Sequence, residues 1–249
     1  MLQSHNPRIN SWGYVLSNMR KQEIYDIAMR CPLLHNVDPE GCKDFINNGR
    51  PHHVVQGSYF FHQGEPASRF YILLHGQARL TQVDVDGNQV ILYHFGLGDG
   101  VGIIVALSNM KYPASAEAIE NCQALSWDTE TTQRLMLQYP QIAFNGMKLI
   151  ANRFSWLQDR YQEMATQRVE QRIALALLRL SWQFGIRVNE SVTIDMTLSR
   201  QDLAEMTGTN IYNVSRILSK WEQNDLIHSQ SKRITIHKSH ELIFIAEGK

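Results

Sequence analysis

Apolar positions change their spacing twice along this chain. Across residues 54–127, short apolar and β-branched stretches recur at 59–61, 70–74, 78–85 and 90–95. Turn signals separate them: Gln63-Gly64-Glu65, His75-Gly76, Asp86-Gly87 and Gly96-Leu97-Gly98-Asp99-Gly100. Asp-Gly between two β-rich stretches supplies the positive φ angles of a tight hairpin. This texture predicts a compact sandwich or barrel of short strands. Ahead of it, residues 25 to about 50 carry short helical patterns broken by Pro32, Pro39 and Gly49. Residues 1–24 read as a weakly ordered lead-in.

After Pro140 the period becomes helical. Ala143, Met147, Ile150, Phe154, Leu157, Tyr161 and Met164 stand alternately four and three apart, the a/d pattern of a heptad seam. Either the chain's own strand domain or the same helix of a second copy satisfies such a seam. Its regularity favours pairing of two copies through Met147, Ile150, Phe154, Leu157 and Tyr161. Residues 169–184 form a further apolar helix ending near Gly185, and 191–196 are β-like.

The segment from Leu198 to Trp221 carries the most specific pattern. Ser199 caps a helix, with Asp202 three residues on as a variant capping box. Leu203 and Met206 give that helix its buried face, and Ala204 is small where a second helix must cross. Gly208 supplies the tight turn. Val214, Ile217, Leu218 and Trp221 form the buried face of the next helix, which leaves Asn210, Ile211, Tyr212, Ser215 and Arg216 on its open side. In a helix-turn-helix those first turns enter the DNA major groove. The alternating stretches 226–228 and 233–236 flank the polar turn 229–232 and predict a wing, with Lys232 and Arg233 placed to meet phosphate.

Charge adds little to this picture. Lys plus Arg and Asp plus Glu both number 24, so nucleic-acid contact rests on a local patch. Across 199–240, Arg200, Arg216, Lys220, Lys232, Arg233 and Lys238 face Asp202, Glu205, Glu222 and Asp225, a small positive surplus. Affinity would then depend on dimerisation and placement. Residues 1–10 are polar without a signal-peptide core, and no apolar run reaches the length of a membrane span. The expected compartment is the cytoplasm, with no membrane partner. The three cysteines, Cys31, Cys42 and Cys122, form no CxxC pair and read as reduced packing residues. Walker, HExxH, GxSxG and strand-turn-helix GxGxxG motifs are all missing, which argues against an enzyme.

The order of parts resembles the cyclic-AMP receptor and fumarate-nitrate regulator (CRP/FNR) family over about residues 30–240. The marks are Gln63-Gly64-Glu65, Tyr71-Ile72-Leu73-Leu74-His75-Gly76-Gln77-Ala78, Gly98-Asp99 followed by Gly102, and the Ser215-Arg216 pair. The resemblance implies an α+β protein: an N-terminal β-roll (double-stranded β-helix, cupin-like) sensor domain over 25–140, a dimerisation helix over 141–166, and a winged helix-turn-helix over 167–249. It implies a homodimeric regulator of transcription on an inverted-repeat DNA site. RNA polymerase is a further partner if the regulator activates. Ser199, Arg200, Gln201 and Lys232 would meet the DNA backbone, and Asn210, Ile211, Tyr212, Ser215 and Arg216 the groove. Ile211 and Tyr212 stand where the family often carries Arg and Glu, so the half-sites should differ from its usual consensus.

The family's nucleotide pocket uses Gly-Glu for ribose and Arg-Ser for phosphate. Here the matching positions are Gly102-Ile103 and Pro113-Ala114, with Leu157 and Gln158 where the purine would lie. A cyclic phosphate without its arginine would be buried uncompensated, which argues against cyclic AMP. The chain also lacks the N-terminal cysteine cluster of the iron-sulfur members. A small organic ligand in a pocket opened by Ile103 and Leu157, haem, and no ligand at all remain open. His94, beside the glycine-rich loop, is the histidine of interest for haem, while His62 belongs to a turn.

Overall fold

A computed structural model describes residues 19–107 and 110–249. The lead-in expected over 1–24 therefore lies largely outside the described residues. Its end is helical: α1 spans Lys21–Ala28 and buries Ile24, Ile27 and Ala28 at helical spacing. The chain divides into two compact units, one comprising Met1–Gln82 with Tyr93–Phe154, the other Val83–Leu92 with Ser155–Lys249.

In the first unit, α2 (Pro39–Asn47) starts at Asp38, whose carboxylate accepts the Gly41 N–H at 2.8 Å. Strands β1 (Arg50–Val54), β2 (Tyr59–Phe61), β3 (Arg69–His75), β4 (Ala78–Val83), β5 (Gln89–Phe95), β6 (Gly100–Val101), β7 (Ser115–Ala118) and β8 (Cys122–Asp128) follow. They form two four-stranded sheets, ordered β1-β8-β3-β6 and β2-β7-β4-β5. Asp128 caps α3 (Thr129–Gln138) through the Thr131 N–H. Sequence reading left that helix out, because it fills the gap between the last strand and Pro140.

Strand β3 explains the two cores. Its side chains alternate across the sheet, so Tyr71 and Leu73 face the space between the sheets. Phe70, Ile72 and Leu74 face a helical layer with Phe45, Leu135 and Ile142, joined by Trp127 of β8. Both faces are covered, which is why β3 reads as an unbroken apolar run. Trp127 packs on Phe45 with ring centroids 4.6 Å apart and donates its Nε1–H to the Phe45 carbonyl at 2.8 Å.

Helix α4 spans Pro140–Thr166 and has two faces. Ile142, Asn145, Gly146 and Leu149 are buried within the first unit. There Asn145 donates to the carbonyls of Leu33 and His35 at 2.9 and 2.7 Å. The Arg153 guanidinium lies 3.5 Å from the centre of the Tyr93 ring, a cation–π contact. The other face carries Met147, Ile150, Phe154, Leu157, Tyr161 and Met164, all exposed.

In the second unit, α5 (Val169–Phe184) leads into β9 (Gly185–Val188) and β10 (Ser191–Ile194). Then come α6 (Arg200–Thr207), α7 (Ile211–Gln223), β11 (Ile227–Gln230), β12 (Arg233–Ile236) and α8 (Ser239–Glu247). The sheet order is β11-β12-β10-β9. β9 was unforeseen: four exposed residues carry too little pattern to separate a strand from the end of α5.

Candidate nucleic-acid interface

Local chemistry positions α6 and α7. Ser199 Oγ accepts the Asp202 N–H at 3.0 Å, and the Asp202 carboxylate accepts the Ser199 N–H at 2.7 Å, a reciprocal capping box. Gly208 ends α6 in the left-handed conformation, φ 59° and ψ 47°, which a side chain resists. Leu203 and Ala204 are buried against α7, but Thr207 joins them where Met206 was expected. Met206 is only half-buried. Asn210 caps α7 by accepting the Asn213 N–H at 2.9 Å. Val214, Ile217, Leu218 and Trp221 are buried, leaving Ile211, Tyr212 and Arg216 exposed and Ser215 half-buried on the open side. Tyr212 is 82% exposed, a large aromatic ring with no covering within its own unit.

The wing is tighter than the sequence suggests. Gln230 pairs with Arg233, so the turn is only Ser231-Lys232. Both residues have positive φ, 52° and 60°, as a two-residue hairpin of primed type requires. Lys232 is exposed at the tip. Arg233 instead reaches Asp195 at 3.1 Å, so it enters any phosphate contact already paired. Arg200 and Gln201 are exposed at the start of α6, and Gln201 hydrogen-bonds Glu205 at 2.9 Å.

Four effector-pocket candidates, Gly102, Ile103, Pro113 and Ala114, belong to the first unit. Gly102 has φ 79°, and a Cβ there would stand 3.2 Å from Phe61 and 3.4 Å from Tyr112. Those two rings are stacked between the sheets. The Tyr112 hydroxyl donates to the Arg69 carbonyl at 2.7 Å and accepts the N–H groups of Arg69 and Ser68 at 2.9 and 3.2 Å. Burial raises the Tyr112 pKa, so it stays a neutral donor. Ile103 opens a 3-10 turn and packs on the helical core near Gly146, not in the space between the sheets. Ala114 is buried and Pro113 exposed. Leu157 and Gln158 are exposed on α4.

His94 is buried on β5, whereas His62 is exposed and its ring lies tilted against Tyr59, centroids 4.3 Å apart. Among the described residues no group of His, Cys, Asp or Glu is arranged to hold a metal ion. The thiols of Cys31, Cys42 and Cys122 are all buried, and burial pushes Cys31 and Cys122 up to about 12.

With this geometry in place, comparison with known proteins is decisive. Residues 51–139 match the cyclic nucleotide-binding domain model, and residues 171–244 match the Crp-like helix-turn-helix domain. The chain belongs to the CRP/FNR family. It is 26% identical over 216 residues to the transcriptional activator protein Anr of Pseudomonas aeruginosa, covering 85% of this chain and 86% of that one. It is 22% identical to a CRP-like cAMP-activated global transcriptional regulator of Mycobacterium tuberculosis, over 87% of this chain and 97% of that one. The fold matches that of FixK2 from Bradyrhizobium japonicum, with a TM-score of 0.70 and 19% identity over 79% of this chain and 96% of that one. The chain is therefore a DNA-binding transcription regulator of this family, with a sensor domain of cyclic nucleotide-binding type. Its relatives are regulators, not enzymes. No helix among the described residues is long and apolar enough to cross a membrane.

Sequence reading missed three features of these sites. Two are the Phe61–Tyr112 stack and the Arg233–Asp195 pair. The third is a set of arginines behind α6, taken up below. None of the three is marked in the sequence by a residue pattern that points to it.

Proposed function

We propose that this regulator acts as a homodimer on an inverted-repeat DNA site, under a small-molecule or gas signal other than cyclic AMP. The observation that carries the dimer is the outward face of α4. Met147, Phe154 and Tyr161 are 61, 61 and 78% exposed along one stripe of a 27-residue helix. Leaving such a stripe in water forgoes roughly 1.5–3 kcal/mol for each large apolar side chain. A second copy of the same helix offers the matching seam.

On DNA, Ser199, Arg200, Gln201 and Lys232 meet phosphates and fix the register. Asn210, Ile211, Tyr212, Ser215 and Arg216 face the major groove, where Arg216 reads guanine and Ile211 meets a thymine methyl. The protein works in the cytoplasm, and RNA polymerase is its partner where it activates.

The Phe61–Tyr112 stack against Gly102 supports a sensor that has given up cyclic nucleotides. It also favours a second reading, a constitutive regulator without ligand, governed by its abundance. The test is binding-site selection from random DNA with purified protein, followed by titration of cyclic AMP. An inverted repeat bound by two chains, with affinity unmoved by cyclic AMP, is the expected result. A single half-site bound by one chain, or tightening by cyclic AMP, would overturn the corresponding part. Full affinity in the purified, ligand-free protein would select the constitutive reading over the sensing one.

A further inference from the structure

Behind the helix-turn-helix lies a cluster of three guanidinium groups, two of which share one carboxylate. Arg160, near the end of α4, is 8% exposed. It donates to Glu163 at 2.8 Å and to the main-chain carbonyl of Met206. Arg179 on α5 donates to the other Glu163 oxygen at 2.6 Å. Arg172, also on α5, donates to the carbonyls of Thr207 at 2.8 Å, Gly208 at 3.4 Å and Gln167 at 2.8 Å.

The cluster holds more positive than negative charge, and the balance comes from α6. The last carbonyls of a helix have no partner within it and carry the negative end of its dipole. Met206, Thr207 and Gly208 supply these carbonyls, and two arginines cap them from outside the motif. Burial and the neighbouring cations hold the Arg160 pKa down to about 10, yet it remains protonated at neutral pH. Met164, the last seam position, completes the attachment: a Cβ on Gly208 would stand 2.6 Å from its Cε.

We infer that Arg160, Glu163, Arg172 and Arg179 are positioning residues that lock the DNA-reading helices to the end of the dimerisation helix and thereby set the half-site spacing the dimer accepts. None of the four needs to touch DNA. Rotation of the end of α4 is carried to α6 through rigid, charge-assisted hydrogen bonds to main chain. Arginine suits the task because its planar fork grips a carboxylate and a carbonyl together, which an ammonium group does not. The inference rests on the proposed dimer and inverted repeat.

The experiment compares full-length wild type with the Glu163→Gln and Arg160→Lys variants. Fluorescence anisotropy measures binding to the selected inverted repeat, to repeats with one base pair added or removed at the centre, and to one isolated half-site. Each base pair turns one half-site by about a tenth of a helical turn relative to the other. Wild type should lose about tenfold or more in affinity on either altered spacing. The variants should lose that preference, to about threefold or less, while half-site affinity stays within about twofold. Sedimentation and thermal melting identify variants that remain folded dimers, and Arg160→Lys keeps the charge should Glu163→Gln not fold. A folded dimeric variant with full spacing preference overturns the inference. A wild type indifferent to spacing overturns the dimer reading beneath it.

Discussion

Phe61 and Tyr112 lie face to face between the two sheets of the β-roll, their ring centroids 3.7 Å apart and their planes 9° from parallel. Phe61 ends β2, and Tyr112 precedes β7. The tyrosine hydroxyl is fully engaged with the backbone at Ser68 and Arg69. Tyr112→Phe would leave those groups unpaired and should cost about 1–3 kcal/mol in denaturant unfolding. The ring would still stand against Gly102, so cyclic AMP should not raise the melting temperature of either protein. A nucleotide-dependent rise in wild type would refute the filled-pocket reading.

The seam makes a paired prediction. Replacing Phe154 and Leu157 together with glutamate places four like charges in the proposed dimer contact. Dimerisation should weaken by more than about a hundredfold, with specific DNA binding lost alongside it. Sedimentation equilibrium and anisotropy would measure the two effects. A charged variant that stays dimeric and binds normally would remove the seam assignment.

Groove and backbone contacts should separate by their salt and sequence dependence. Arg216→Ala is expected to cost about 1–3 kcal/mol on the selected site and to relax preference at one position of each half-site. Lys232→Ala should weaken all sequences alike and reduce the slope of log affinity against log salt by about one per head. Competition and salt titrations distinguish them, and a uniform loss for Arg216→Ala would reassign it to phosphate.

Ser199→Ala removes the acceptor for the Asp202 N–H, and about 1 kcal/mol of stability should go with it. Gly208→Ala should cost more, since the alanine must hold positive φ and displace Met164. Chemical denaturation of the two variants orders them, and equal effects would deny the Met164 contact.

The thiols allow a test by pH. With the pKa of Cys31 and Cys122 raised to about 12 by burial, the reactive thiolate is scarce at every physiological pH. Native protein should resist iodoacetamide at pH 7 and gain little reactivity by pH 9, because both values stay below the shifted pKa. Denatured protein should react at all three cysteines. Fast native alkylation accompanied by loss of DNA binding would instead indicate a redox switch.

How much of this was legible beforehand follows from how local each feature is. The Ser199–Asp202 box, the Gly208 turn and the buried offsets of α7 involve residues a few positions apart, and each is written in residue types. The Phe61–Tyr112 stack joins distant parts of the chain, so neither residue announces the other. Ile103 was expected in the pocket, but the left-handed turn at Gly102 sends it to the helical core. The arginine caps were invisible for a different reason: their acceptors are carbonyl oxygens, which every residue possesses.

That last property bears on how such regulators diversify. Because Arg160 and Arg172 grip main chain at positions 206–208, the mount draws on no side-chain acceptor there and asks only that the turn at Gly208 be kept. The exposed face of α7 can change, one groove-facing residue at a time, on an unchanged support. A lineage can then acquire a new operator sequence while inheriting its subunit geometry intact. The reading surface behaves as an interchangeable part on a fixed chassis.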